Sequence, residues 1–477
     1  MSLYLTALLV YSLILMAIGI GASRRVKTSA DFLVAGRRLG PGLVFASFFA
    51  ANIGAGSTVG AAGLGYRFGL SAWWWVGSAG IGTLVLSQLL GPRLWRIARQ
   101  HNLSTLQDYL ELRYGKSVKA IVAVLFWCGS LAILAGQLIA MSWILATVAG
   151  LPKTTSCVIG GLVAIVYTAS GGLVSSTFVN ILEIVVTMTG LLLAVPFALH
   201  SVGGWQQLQT TVALSHPQAD LFSITGAGLK QILVWVAILI PSFIVSPGLL
   251  QKLYGARSTA SVRIGIGLNS IGQLLFAFVP PILGLCALAA MPHMTNPELA
   301  LPAVLKLLLP RWLSVLALAS IFSAELSSTG AILFMLSTSL SVDLYKTFLR
   351  PDVSPRGLLT ASRVASVGAG VAGILAAIAL PSIIAAISIF YSLIAVALFV
   401  PVLAGLYTKR VLKPAAIASI VCAVAVTVAV MILTNNRGVG VLSPPAIGIL
   451  TAAVVTVGFT LFARRQAATQ EQPHASS

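Results

Sequence analysis

Acidic residues are scarce in this chain. Only 10 of its 477 residues are aspartate or glutamate, and all charged residues together make up 8%. Soluble domains carry roughly 25% charged residues, so a water-exposed globular surface is excluded. Cysteine is scarce too. Cys128, Cys157, Cys286 and Cys422 all fall in apolar runs with no Cys-x-x-Cys pair, which excludes a disulfide scaffold and fits buried packing. The histidines, His101, His200, His216, His293 and His474, are scattered, and no two pair at metal-ligand spacing. A zinc or iron centre is therefore not expected. No Ser/His/Asp set, His/Glu metal pair or phosphate loop is visible, which argues against an integral membrane enzyme.

Apolar residues are abundant. They make up 58% of the chain, and the mean hydropathy is +0.99. Runs near or above the ~20 residues that cross a bilayer recur throughout. Thirteen are expected to span: about 3–21, 43–64, 72–92, 119–149, 155–170, 174–199, 226–250, 263–290, 312–345, 362–382, 384–407, 413–434 and 443–463. The first lacks a basic segment before it, unlike a cleaved signal peptide. The fold class is thus an all-α membrane protein. Residues 1–465 form one transmembrane domain, and the polar residues 466–477 form a disordered cytoplasmic tail.

The net charge of +19 could suggest a nucleic-acid partner, but its distribution does not. Twenty-three of the 29 lysines and arginines fall near alternate loops, including Arg24, Arg93, Lys252, Lys346 and Lys409. The intervening loops hold only Arg67, Lys153, Lys230, Lys306, Arg311 and Arg437. Such asymmetry marks the cytoplasmic side of a multi-pass cell-membrane protein. It places the N-terminus outside and the C-terminus inside, with anionic lipid as sufficient partner for the positive loops. No nucleic acid and no obligate protein partner is expected.

Two spans are interrupted. The second carries Gly54, Gly56, Gly60, Gly63 and Gly65, and the seventh carries Pro241, Pro247 and Gly248. Glycine and proline are ordinary in membrane helices where backbones pack closely. Here, however, the breaks lie five helices apart. That fits a five-plus-five inverted repeat, about 43–199 and 226–407, with one extra helix before and two after. Transporters bind solute and ion at such breaks.

A break near Gly54 would release the carbonyls of Ala50 and Ile53. Ala324, Ser327 and Ser328 fall at i, i+3 and i+4 and share one helix face. The carbonyls of Ala50, Ile53 and Ala324, with the hydroxyls of Ser327 and Ser328, offer five oxygens to one Na⁺. Serine in an apolar helix also bonds back to its own i−4 carbonyl, which is the plainer reading of that pair.

Four segments carry a family resemblance: DFLVAGRRLGP at 31–41, LSTLQDYLELRYG at 103–115, SGGLVSSTFVNILE at 170–183 and STSLSVDLYK at 337–346. In this order they resemble the solute:sodium symporter family, over about residues 1–465. The resemblance implies a leucine-transporter-type 5+5 inverted repeat of 13 transmembrane helices. It implies sodium-coupled import of a small polar solute by alternating access. It also maps the family's sodium site onto Ala50, Ile53, Ala324, Ser327 and Ser328. Relatives that bind a second sodium have an aspartate where this chain has Asn180, and further hydroxyls where it has Gly330 and Ala331. One sodium per substrate is the expectation.

The substrate is expected to contact Gly56, Ser57, Gln137, Phe243, Ser246 and Tyr391, near the two breaks; Gln137 and Tyr391 are tips within apolar runs that could equally be packing. Sodium/sugar relatives carry bulkier groups where this chain has Gly56 and Ser57. An amino acid or carboxylate is therefore favoured over a sugar. Two acids lie inside spans. Glu325 borders the sodium face and is a coupling candidate: it could carry a proton, attract a cationic substrate or hold a structural hydrogen bond. A proton-coupled carrier using Glu325 is the alternative to sodium coupling. Glu183, near a span end, reads as a wetted structural group. Trp73, Trp74 and Trp75 read as an interfacial belt or an outer gate.

Overall fold

A computed structural model describes residues 3–23, 37–169, 176–350, 352–408 and 413–470. Among these residues the chain is helical and has no strand, only two isolated bridges. Among the described residues nine helices are long and apolar enough to cross a membrane, including Lys116–Ala149, Leu229–Tyr254 and Ile383–Tyr407. Shorter apolar helices occupy Leu3–Ile14, Pro41–Asn52 and Lys153–Val166. Large side chains such as Leu193, Leu275, Val364, Leu375 and Val454 project outward, as a lipid-facing surface requires.

Eleven helices build and surround the candidate site. The second predicted span is two helices, α1 (Pro41–Asn52) and α2 (Val59–Phe68). It is followed by α3 (Trp73–Val85) and the long α4 (Lys116–Ala149). Helix α5 (Ser176–Ser201) packs on α1. The seventh span is again two helices, α6 (Leu229–Val245) and α7 (Pro247–Tyr254). Helix α8 (Thr259–Phe276) packs on both α1 and α3, and α9 (Val279–Ala290) packs on α2. Helix α10 (Arg311–Thr338) continues as a wider π-helical stretch, Ser339–Leu349, and packs against α4 and α5. Helix α11 (Ile383–Tyr407) lies along α4.

The interruptions have local causes. Gly54 and Gly56 carry no side chain to hold a helix, and Ser57 offers its hydroxyl to the backbone instead. At the seventh span Pro247 has no N–H to continue the ladder, and Ser246 before it is extended, at φ −58° and ψ 118°. Close backbone approach explains a third group of glycines. A Cβ on Gly65 would stand 2.5 Å from Pro281 Cα, and one on Gly284 would stand 2.3 Å from Ala62 O. Helices α2 and α9 thus touch backbone to backbone.

Several expectations need correction. The stretches between expected spans at 200–225 and 291–311 are not plain loops but contain the helices Gly204–Ser215 and Ala300–Leu307. The last helix, Pro444–Gln470, runs through the first residues of the segment expected to be disordered, and 471–477 lie outside the described residues. Lys252, counted with a cytoplasmic loop, sits on α7 and faces a cavity.

Candidate functional site

Where α1 ends, the helical ladder is redirected atom by atom. The Gly54 N–H, which would continue to the carbonyl of Ala50, donates to Ser57 Oγ at 3.0 Å. The Ala55 N–H donates to Gln137 Oε1 on α4 at 3.1 Å. The Ser57 N–H, which would reach Ile53, donates to Gly54 O at 3.0 Å. Ser57 Oγ in turn donates to Asn52 O at 2.7 Å. The carbonyls of Ala50 and Ile53 are thereby released from the helix.

Ala50 and Ile53 border a cavity of about 80 Å³ between α1, α5, α7 and α10. Its wall contains Ala50, Ile53, Ala324, Ser327 and Ser328. The structure therefore brings all five candidate ligand residues together. Their donors are carbonyl and hydroxyl oxygens, the set a hard cation prefers. Among the described residues no cluster of three or more histidine, cysteine or acidic side chains could hold a metal ion. The five candidate ligand residues themselves offer a cation only neutral oxygens.

The same wall holds two residues that the sequence reading placed elsewhere. Glu183 is buried and lines the cavity, with Ser323 and Ser327 within hydrogen-bonding reach of its carboxyl. It is not a wetted group at a helix end, because α5 starts two turns earlier, at Ser176. Lys252 reaches in from α7 and donates to Ser47 O at 3.0 Å. The side chain of Asn180 lies outside the described residues.

A second cavity, of about 50 Å³, lies on the other side of the break. Gly56, Ser57, Gln137, Phe243 and Tyr391 line it, as the sequence suggested. Ser246 does not; it stands at the bend between α6 and α7. Aromatic rings crowd one side, with Phe243 and Tyr391 centred 5.1 Å apart and Trp75 and Tyr391 6.5 Å apart. Trp75 is a correction. It is buried, and its Nε1–H donates to Gly56 O at 2.9 Å, so it belongs to the cavity and not to a membrane belt. Successive residues turn by roughly 100° around a helix. Trp74 accordingly points elsewhere, donating to Ile224 O at 3.0 Å.

Two further polar residues line this cavity that sequence reasoning missed. Asn52 Nδ2 donates to Asn269 Oδ1 at 3.2 Å and to Gln273 Oε1 at 3.3 Å. Asn52 and Gln273 face the cavity. Polar amides within apolar runs were the available signal. Among the described lining residues none is charged, and the wall offers amides, the hydroxyls of Ser57 and Tyr391, backbone and rings.

Glu325 lies outside both cavity walls and is fully buried. Its Oε1 accepts from Thr58 Oγ1 at 3.3 Å, and its Oε2 has no hydrogen-bond partner. It therefore supports the first turn of α2 from behind.

Comparison with known proteins agrees with this architecture. The profile of the sodium:solute symporter family matches residues 32–423. The chain is 25% identical to a sodium/glucose cotransporter of Vibrio parahaemolyticus, over 87% of this chain and 82% of the relative. It is 26% identical to a sodium/proline symporter of Haemophilus influenzae, over 74% and 73%. It is also 26% identical to a sodium/pantothenate symporter of Escherichia coli, over 72% of each chain. A solved structure of a Na⁺-coupled sialic acid symporter in a substrate-bound outward-open state superposes with a TM-score of 0.78. That match has 18% identity and covers 97% of this chain and 98% of the other. These relatives are transporters and not enzymes, and this chain belongs to the sodium:solute symporter family.

Proposed function

We propose that this protein is a sodium-coupled symporter that imports a small polar organic solute with one sodium ion. The observation that carries this reading is the release of the Ala50 and Ile53 carbonyls opposite the Ser327 and Ser328 hydroxyls, around one cavity. Sodium binds there, with the carbonyl of Ala324 as the fifth oxygen. The solute binds beside it, in the cavity bounded by Gly56, Ser57, Gln137, Phe243 and Tyr391. Both sites share the segment 53–58, so an ion on one side of the break alters the backbone that the solute meets on the other. Sodium drives transport only by favouring one conformation over the other. In this reading it favours the state open to the outside, and a membrane potential adds roughly 2.3 kcal/mol per charge per 100 mV.

The proposed architecture has thirteen spans, the N-terminus outside and the C-terminus in the cytoplasm. The two five-helix repeats are about 43–199 and 226–407, with inverted topology. The breaks after Asn52 and Val245 fall in the first span of each repeat and support that assignment. A small amino acid or carboxylate, held at backbone N–H groups, fits the absence of a charged side chain among the described lining residues. The test is a ligand screen by thermal shift in sodium and in potassium, followed by uptake into proteoliposomes. Uptake should follow an imposed sodium gradient with a one-to-one ratio. Equal uptake without sodium under a proton gradient would replace this reading with a proton-coupled one.

A further inference from the structure

The candidate sodium cavity has two charged side chains among its described lining residues, Glu183 and Lys252. They carry opposite signs but do not close on each other. Among the described residues the ion pairs join Lys119 to Asp108 and to Glu111. Each charge is held back by a neutral partner. Glu183 has the hydroxyls of Ser323 and Ser327. Lys252 has the carbonyl of Ser47, one turn before Ala50 on the same helix.

We infer that Glu183 and Lys252 set the sodium affinity of this site in opposite directions, Glu183 as a positioning residue acting through Ser327 and Lys252 as a built-in competing charge. This rests on the reading of the cavity as the sodium site. The Ser327 hydroxyl has one proton and two lone pairs. When it donates that proton to Glu183, both lone pairs are free to face the cation, and the oxygen becomes a better ligand. Groups that orient a metal's ligands in this way are commonly worth 10–100-fold in affinity. The carboxylate also supplies the negative charge that five neutral oxygens lack.

Lys252 does the opposite. Its ammonium faces the cavity from α7, and a like charge at short range in a poorly solvated cavity opposes a bound ion. Sodium without Glu183 would have five dipoles against one ammonium. Sodium without Lys252 would have the dipoles and the carboxylate alone. After sodium leaves, the carboxylate and the ammonium remain as opposite charges across the same space. Lys252 ties α7 to α1, so both interrupted helices meet at this cavity.

The test uses the purified full-length protein in detergent, titrated with sodium at constant ionic strength against potassium, with melting temperature as readout. The wild type should show saturable, sodium-specific stabilisation. Glu183→Gln keeps shape and acceptor but loses charge, and should raise the sodium midpoint roughly tenfold or more. Lys252→Gln keeps a donor for Ser47 and should lower it. The double variant should return towards the wild type. Glu183→Ala and Lys252→Met serve as second charge-removing variants if either glutamine variant fails to fold. A Glu183 variant with the wild-type midpoint would overturn the inference, as would a Lys252 variant that weakens sodium or leaves it unchanged. Purely structural roles would weaken sodium in both. If the wild type gives no sodium-specific shift, the reading of the cavity itself fails instead.

Discussion

Ala55 and Gln137 stand 82 positions apart, yet the amide of one donates to the side-chain oxygen of the other at 3.1 Å. The long helix α4 thus supplies the acceptor that α1 lost when its ladder broke. A buried amide without a partner costs about 1–3 kcal/mol, so this contact makes the break tolerable inside a membrane. Gln137→Leu should therefore lower the melting temperature and shrink the sodium-induced shift together. Gln137→Glu, which keeps an acceptor oxygen, should retain more of both.

Ser328 offers the cleaner test of the cation cage, because Ser327 is engaged with Glu183. Removing one hydroxyl oxygen from a charged partner costs about 2 kcal/mol, or roughly thirtyfold in affinity. Ser328→Ala should raise the sodium midpoint by that factor while leaving the melting temperature in sodium-free buffer close to the wild type. A large drop without sodium would show that the hydroxyl serves the helix and not an ion.

Residues of the site differ in how far the sequence alone reveals them. The stretch around Gly54 was legible because glycine and its neighbours announce a break, and a break releases carbonyls a fixed number of residues upstream. The pairing with Ser327 and Ser328 was legible from helical spacing and family resemblance. Lys252 was not. Its position along the chain suggests a loop, but the bend at Pro247 starts a second helix that carries it back to the cavity. Trp75 was not legible either. Three adjacent tryptophans look alike in sequence, and only the rotation of α3 decides which one meets Gly56. Asn52 and Gln273 lie 221 positions apart, a pairing that one-dimensional spacing does not encode.

Glu298 should give the protein a pH-dependent stability of identifiable sign. It lies outside the spans, buried, and accepts from Trp143 Nε1 at 3.0 Å and from the N–H groups of Ile383 and Ile384 at 2.6 and 3.4 Å. Burial pushes its carboxyl above the usual range, and those donors offset the effect only in part. The folded state therefore holds the proton more tightly than the unfolded state. Its contribution is full below the ordinary glutamate value and declines as pH rises through the raised one. Melting temperature measured upward from pH 4.5 should show this decline, and Glu298→Gln should flatten it. Glu298→Ala should destabilise at every pH, since it strands the start of α11.

Gly65 tests the contact between α2 and α9. The obstacle to a side chain there is the backbone of Pro281, at 2.5 Å from a built Cβ, and not a flexible side chain that could turn away. Gly65→Ala should cost at least the 1–3 kcal/mol typical of overpacking. The measurable outcome is a lower melting temperature and lower yield of monodisperse protein. Gly458, which has nothing within 4 Å of a built Cβ, provides the control, and Gly458→Ala should be silent.

Glu325 decides between sodium and proton coupling. Its one bonded oxygen holds Thr58, the residue before α2, and Thr58 Oγ1 also donates to Gly54 O at 2.9 Å. In a sodium-driven mechanism this carboxyl is a strut. Glu325→Gln keeps an oxygen for Thr58, so its sodium midpoint should match the wild type at both pH 6 and pH 8. Glu325→Ala removes the strut, frees the Thr58 end of the break and should weaken sodium binding at both. If instead Glu325→Gln abolishes a pH dependence that the wild type shows, the carboxyl exchanges a proton during the cycle, and sodium would not be the sole driving ion.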